Sequence, residues 1–180
     1  MTNFLGYHWL QPLPDSRGKL VLRIPLLQET ADFSVVSVQH DVPRIVEIVN
    51  RQVFGLAPAA EDQPTQGRDF WFHKEVDIFS ERTTAQQIVK TLSDVSGVPV
   101  MFEYLSRETI NKHIPDLIPI LPLFELQEKG YNNQKKVSDE RTVVPGDPIL
   151  TKAGMKYETL ETYAKREMVD AIKQMASGGK

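Results

Sequence analysis

The chain has no cysteine among its 180 residues. That excludes disulfides and thiolate metal sites, and it fits a reducing compartment. No apolar run approaches the ~20 residues that a membrane-spanning helix needs, so a soluble, cytoplasmic protein without membrane contact is expected. Charge of one sign is scarce too. The 21 basic and 24 acidic residues leave a formal charge of −3, and the Lys135-Lys136 and Lys165-Arg166 pairs sit among acidic neighbours. A nucleic-acid footprint needs Lys and Arg gathered on one face, so no nucleic-acid partner is expected. The ten glycines form no G-x-G-x-x-G after a strand and no P-loop. The opening, MTNFLGYHWLQPLPDSRGKL, lacks a basic n-region, and Gly6, His8 and Gln11 interrupt any apolar core, which argues against a signal peptide. It turns apolar by Phe4 without the polar lead-in usual at a terminus, and reads like the middle of a domain.

What is present alternates between strand and helix, an α/β pattern over residues 1–180 read as one domain. Residues 14–27 hold a strand, Lys19 to Leu27, which Pro25 assigns to an edge or a bend. Residues 34–55 hold a strand, Ser34 to Val38, then a helix with Asp41 as N-cap, Pro43 in its first turn and Gly55 as left-handed stop. Its apolar stripe is read as Val42, Ile45, Val46, Val49 and Val53. Ala57 to Gly67 has loop composition. Residues 69–104 read as strand, helix, strand. Asp69 to Phe79 has aromatic and β-branched enrichment. Thr83 or Thr84 caps a helix with Ile88, Val89, Leu92 and Val95 inward and Gly97 as its end. Val98, Val100, Phe102 and Tyr104 then alternate.

Within 106–130, Ser106 starts a helical turn through His113. Pro115, Pro119 and Pro122 keep the next stretch irregular, and Leu123 to Lys129 reads as helix. Asn132 to Asp147 is a polar loop. Residues 157–177 close with an amphipathic helix, about Thr159 to Ala176, whose inner face is Leu160, Tyr163, Ala164, Met168, Ala171, Ile172 and Met175.

Four segments in this order resemble the C-terminal portion of NmrA-like proteins, a branch of the atypical short-chain dehydrogenase/reductases. They are TNFLGYHW with SRGKLVLRIPL; VVSVQHDVPRIVEIV, where the family has an Asp-anchored helix start; VDIFSERTTAQQIVKTLSDVSGVPVMFEYLS; and FELQEKGYNN. The resemblance implies an incomplete Rossmann-type fold. The Rossmann half that binds NAD or NADP in the family is absent from these residues, so dinucleotide binding is expected to depend on that half or on a partner chain. It also implies that Met1, Thr2, Asn3 and Phe4 match positions beside the nicotinamide, and that Tyr7, Trp9 and Phe124 belong to a substrate pocket. In fungal relatives such proteins belong to secondary-metabolite pathways.

No catalytic residue is assigned. Tyr131 and Lys135 have the Tyr-x-x-x-Lys spacing of short-chain dehydrogenases, but they follow Gly130 in a loop, and chance is the better reading. His8, His40, His73 and His113 show no metal-ligand spacing. His40 beside Asp41 fits a general base or a helix cap. His73 and Asp77 are at best neighbours on one strand face. Ser80, Glu81 and Thr83 read as capping residues. Phe70, Trp71 and Phe72 fit core packing or a pocket wall, and Ile114 to Phe124 fits core packing or a lid.

Two function classes follow from the resemblance: an oxidoreductase-type protein acting on or binding a small organic metabolite, or a non-catalytic regulatory or protein-interaction module. An apolar strand edge at Asp69 to Phe79 adds an expectation of self-association or marginal stability.

Overall fold

Leu20, Val21, Leu22 and Ile24 are all buried. Consecutive strand residues point to opposite faces, so a strand with this run needs cover on both. The computed structural model describes residues 9–13, 18–26, 28–30, 32–55, 68–73, 75–122, 125 and 143–178. The elements in chain order are β1 (Leu10–Pro12), β2 (Leu20–Pro25), β3 (Asp32–Val35), α1 (Asp41–Phe54), α2 (Arg68–His73), β4 (Glu75–Asp77), β5 (Glu81–Thr84), α3 (Ala85–Ser96), β6 (Val100–Leu105) and α4 (Arg107–His113). A 3-10 helix (Pro115–Ile120), β7 (Val143–Pro145), α5 (Gly146–Lys152), α6 (Leu160–Tyr163), a π-helical segment (Ala164–Met168) and α7 (Val169–Ala176) follow. The fold is mixed α/β. Contacts gather the chain into two compact units: Met1–Phe33, Arg82–Asn133 and Leu160–Lys180 in the first, Ser34–Glu81 and Gln134–Thr159 in the second.

In the first unit the sheet order is β1-β2-β6, with β1 antiparallel and β6 parallel to β2. The proline in β2 therefore marks a central strand rather than the edge that the sequence suggests. Register explains why it is tolerated. The N–H groups of Leu20 and Leu26 bond to the β6 side, at Pro99 and Leu105, while that of Arg23 bonds to Trp9 on the β1 side. Pro25 shares the parity of Arg23, so its missing N–H falls past Trp9, where the described ladder with β1 has ended.

Helix α3 is built as its sequence says. The Thr84 hydroxyl accepts from the Gln87 N–H at 3.1 Å, and the Gln87 side chain accepts from the Thr84 N–H at 2.8 Å, a reciprocal capping box. Ile88 and Leu92 are fully buried, and Gly97 ends the helix at φ 70°. The helix packs on β6 and on residues 160–176. There the buried row Leu160, Ala164, Met168 and Ile172 advances in steps of four. Four residues of α-helix turn through ~400°, so such a row drifts around the helix by ~40° per step. The π segment turns less per residue and holds the row on one face. Beyond β6 the Ser106 hydroxyl caps α4 by accepting from the Thr109 N–H at 3.0 Å. Ile110, Leu121, Leu26 and Leu105 then form a small core that Trp9, Ile114 and Leu117 join. The strict alternation read for Val98 to Tyr104 gives way along β6, where Tyr104 is exposed and Leu105 is buried.

In the second unit the stripe of α1 differs from the one the valines suggest. Ile45 and Ile48 are buried while Val46 is 51% exposed. Ile45, Ile48, Leu150, Ala153 and Met155 form one core, with Val49, Trp71 and Tyr157 against it. This core overturns the long strand expected from Asp69 to Phe79. Residues 68–73 are helical, and only Glu75–Asp77 is strand, paired parallel to Val143–Pro145. Trp71 turns to the core and its indole N–H donates to Gln52 Oε1 at 3.0 Å. Arg68 lies over the Phe72 ring at 5.3 Å, a pair four residues apart on one helix face. Tertiary packing outweighs strand propensity here, and the long apolar edge behind the expected self-association is absent. The polar loop expected to Asp147 ends earlier, in β7 and the first turn of α5.

Candidate functional site

The second unit carries a buried polar cluster at the start of α1. Asp41 is 0% exposed, Ser37 1% and Glu158 4%. The Asp41 carboxylate accepts the Glu158 backbone N–H on both oxygens, at 3.0 and 3.2 Å. The Ser37 hydroxyl donates to Glu158 Oε2 at 2.5 Å. Ser80 Oγ accepts the Ser37 N–H, and the Ser80 N–H bonds to the Val35 carbonyl, both at 2.7 Å. Ser80 thus braces the turn before α1 rather than capping α3. Asp41 is the first residue of α1, not its N-cap: the N-cap is His40, with no side-chain capping bond. Every buried polar group named here has a partner, as stability demands.

His40 joins this cluster to the surface. Its Nδ1 lies 2.7 Å from Asp41 Oδ1, and its side chain is 50% exposed. The carboxylate accepts at this contact, so Nδ1 carries the hydrogen, and whenever the ring is neutral Nε2 is the acceptor. This is the arrangement by which an aspartate fixes the tautomer of a histidine that takes up protons.

The ring lines a cleft of about 410 Å³, together with Pro43, Arg44, Glu47, Gly154 and Lys156. A volume of this size suits a small organic molecule. The core of the unit positions its walls. Ile45 and Ile48 fix one face of α1, so Arg44 and Glu47 fall on the outer side. Leu150, Ala153 and Met155 fix the segment after α5, and Gly154, at φ 89°, makes the turn. Arg44 and Arg51 both reach Glu47, at 2.9 and 2.7 Å. Hydrogen bonds from Arg51, then Arg44, lower the carboxyl pKa of Glu47.

Of the site residues expected from sequence, Met1, Thr2, Asn3, Phe4, Tyr7 and Phe124 lie outside the described residues, as do Tyr131 and Lys135. Trp9 is half-buried against the Leu26 and Leu105 core and is not part of the cleft beside His40. Within the expected lid Ile114, Leu117 and Leu121 pack against that same core, whereas Ile118 and Ile120 are exposed. Phe72 is exposed and Trp71 is core. His113 ends α4 at the surface. No group of three His, Asp or Glu able to hold a metal occurs among the described residues.

Among the described residues no glycine-rich turn leads from a strand into a helix to take the phosphates of a dinucleotide. The positive-φ glycines, 18, 55, 97, 154 and 178, lie in a hairpin turn or after helices. Of the described steps from strand to helix, those at Val35 to Asp41, Thr84 to Ala85 and Leu105 to Arg107 contain no glycine, and the one at Pro145 holds the single Gly146. Sequence reasoning paired His40 with Asp41 but missed Ser37, Glu158, Arg44 and Lys156. Helix α5, which carries that side of the cleft, went unread in the sequence, although Pro148 in its first turn and Gly154 past its end are the signal that could have found it. Among the described residues no helix is long and apolar enough to cross a membrane. Comparison of the chain with protein-family models, curated proteins and solved structures finds no match.

Proposed function

We propose that the chain is an NmrA-like, oxidoreductase-type protein that holds a small organic metabolite in the cleft beside His40. The observation that carries this reading is the His40–Asp41 pair. A buried, fully bonded carboxylate orients a half-exposed imidazole at the mouth of a ligand-sized cleft. The four sequence segments support the family assignment, and the strand, capped helix and strand over 81–105 are in keeping with it. On this reading NAD or NADP is held by a Rossmann half or partner chain, and a cytoplasmic, secondary-metabolite role is part of the same proposal.

The test is a screen of small organic molecules by amide chemical shifts. Shifts clustered at Arg44, Glu47, Gly154 and Lys156 support the reading, and shifts confined to other regions overturn it. Calorimetry with NADPH completes it: the chain alone is expected to give no heat, and tight binding would move the cofactor contacts into these residues.

A second reading, a regulatory or protein-interaction module, is favoured by Phe54 and Phe72, exposed by 69% and 61%. It is expected to lose its partner on Phe54→Ser with Phe72→Ser, while cleft variants leave that partner bound.

A further inference from the structure

The charges around the cleft come close to cancelling until His40 is counted. Arg44 and Lys156 line it, with Arg51 one step behind Arg44 on Glu47. Against these three cations stand three carboxyls, Glu47 at the surface and Asp41 and Glu158 beneath. Ser37, the remaining member of the buried cluster, is uncharged. Imidazole is the side chain whose charge changes near neutral pH, and His40 is the only histidine among the cleft residues. Its proton therefore adds one positive charge to the described lining of the cleft.

The first backbone donors of α1 are already taken. The Asp41 and Val42 N–H groups at the head of α1 both bond to the Ser37 carbonyl, at 2.9 and 3.3 Å, and Pro43 has none. Arg44 and Lys156 stand in the wall of the cleft, and His40 lines it beside them, with Nδ1 on Asp41. Asp41, fixed by the Glu158 N–H, keeps the ring in place and stays paired with it in either protonation state.

We infer that the cleft binds a small organic monoanion, a carboxylate, with uptake of one proton at His40. This rests on the small-molecule reading of the cleft given above. The ligand enters unprotonated. The Nε2 lone pair forms an N–H bond with a proton drawn from water or buffer acid. The resulting imidazolium lies between the Asp41 carboxylate and the bound anion. One proton adds one positive charge, which matches a carboxylate rather than a dianionic phosphate ester. Neutral analogues gain nothing from the proton and bind weakly.

The probes are benzoate, which stays a monoanion from pH 5.5 to 8, and its neutral analogue benzamide. Amide shifts at Arg44, Glu47, Gly154 and Lys156 locate binding, and calorimetry in two buffers of different ionisation enthalpy counts protons. Benzoate is expected to bind more weakly as pH rises, approaching tenfold per pH unit once the unliganded ring is neutral, with uptake approaching one proton there. Benzamide is expected to shift the same amides at least tenfold more weakly. His40→Asn places an amide donor where Nδ1 sits, so it keeps the bond to Asp41, and a thermal melt checks that it folds. It is expected to flatten the pH profile and abolish proton uptake.

Benzoate binding at these amides with no pH dependence and no proton uptake overturns the inference while the small-molecule cleft stands. Equal binding of benzamide does the same. Silence of these amides toward both probes at every pH overturns the inference, and silence toward the whole small-molecule screen removes the cleft reading with it.

Discussion

Asp41 and Glu158, 117 residues apart, are joined by a carboxylate that takes one backbone N–H on both of its oxygens. The first residue of α1 thereby fastens the segment that follows α5, and the same carboxylate orients His40. One buried acid serves packing and site together.

Removing that acid is costly. Asp41→Ala leaves the Glu158 N–H without an acceptor in a dry environment, which costs about 1–3 kcal/mol for the orphaned donor alone. For a chain of this length that is a fall of roughly 2–12 °C in melting temperature, measurable by circular dichroism. A second readout separates site from scaffold: His40 should lose its tautomer preference, seen in its ring nitrogen shifts. An unchanged melting temperature would contradict the bonding described here.

The buried face of α1 makes a paired prediction. Ile48 is fully buried in the second unit's core, whereas Val46, two positions before it, is half-exposed. Ile48→Ala should cost about 2–5 kcal/mol by loss of contacts and cavity formation, and Val46→Ala should stay within about 0.5 kcal/mol. Chemical denaturation of both variants decides it. Equal destabilisation would restore the valine stripe that the sequence suggests.

Those two residues also mark how far the sequence could be read. Helix α3 was legible because its signals are local: Ile88 and Leu92 four apart, Gly97 at the stop, and a threonine cap, left open between Thr83 and Thr84, that the capping box with Gln87 places at Thr84. In α1 the start, the end and Ile45 were legible, but valine abundance drew the stripe toward Val46 and away from Ile48. The aromatic run Phe70-Trp71-Phe72 suits a strand equally well by composition. What makes it a helix is Trp71 reaching Gln52, 19 residues back, and no local pattern announces such a partner. The site divides the same way. His40-Asp41 is an adjacent pair, whereas Ser37 and Glu158 meet across 121 residues, and Lys156 arrives with Glu158. Side chains assembled by packing of distant segments leave no spacing to read.

The capping of α3 predicts two further costs. Thr84→Ala removes the acceptor for the Gln87 N–H, and such losses are worth about 1 kcal/mol. Gly97→Ala keeps open space around the new methyl, since nothing lies within 4 Å, but forces a residue with Cβ into φ +70°, at about 1 kcal/mol. The sites sit at opposite ends of one helix with separate partners, so the double variant should show the sum within about 0.5 kcal/mol. Equilibrium urea unfolding of the four proteins measures this. A Gly97→Ala protein as stable as the parent would mean that the helix does not end in the left-handed conformation.

The surface of α1 carries a pH dependence with a defined sign. Glu47 has its carboxyl pKa lowered from 4.5, chiefly by hydrogen bonds from Arg51 and then from Arg44. A carboxylate whose folded pKa lies below its unfolded value stabilises the fold above the unfolded value, and that gain is lost as pH falls through the folded one. Glu47→Gln should therefore lower stability at neutral pH, where both arginines lose their partner, and the difference from the parent should close below pH 4.5. Because the three side chains are at the surface, 0.5 M salt should narrow the gap at neutral pH as well. Thermal melts of parent and variant at neutral and acidic pH, each with and without salt, test both dependences. A gap that persists unchanged in acid would mean that Glu47 acts through its shape and not through its charge.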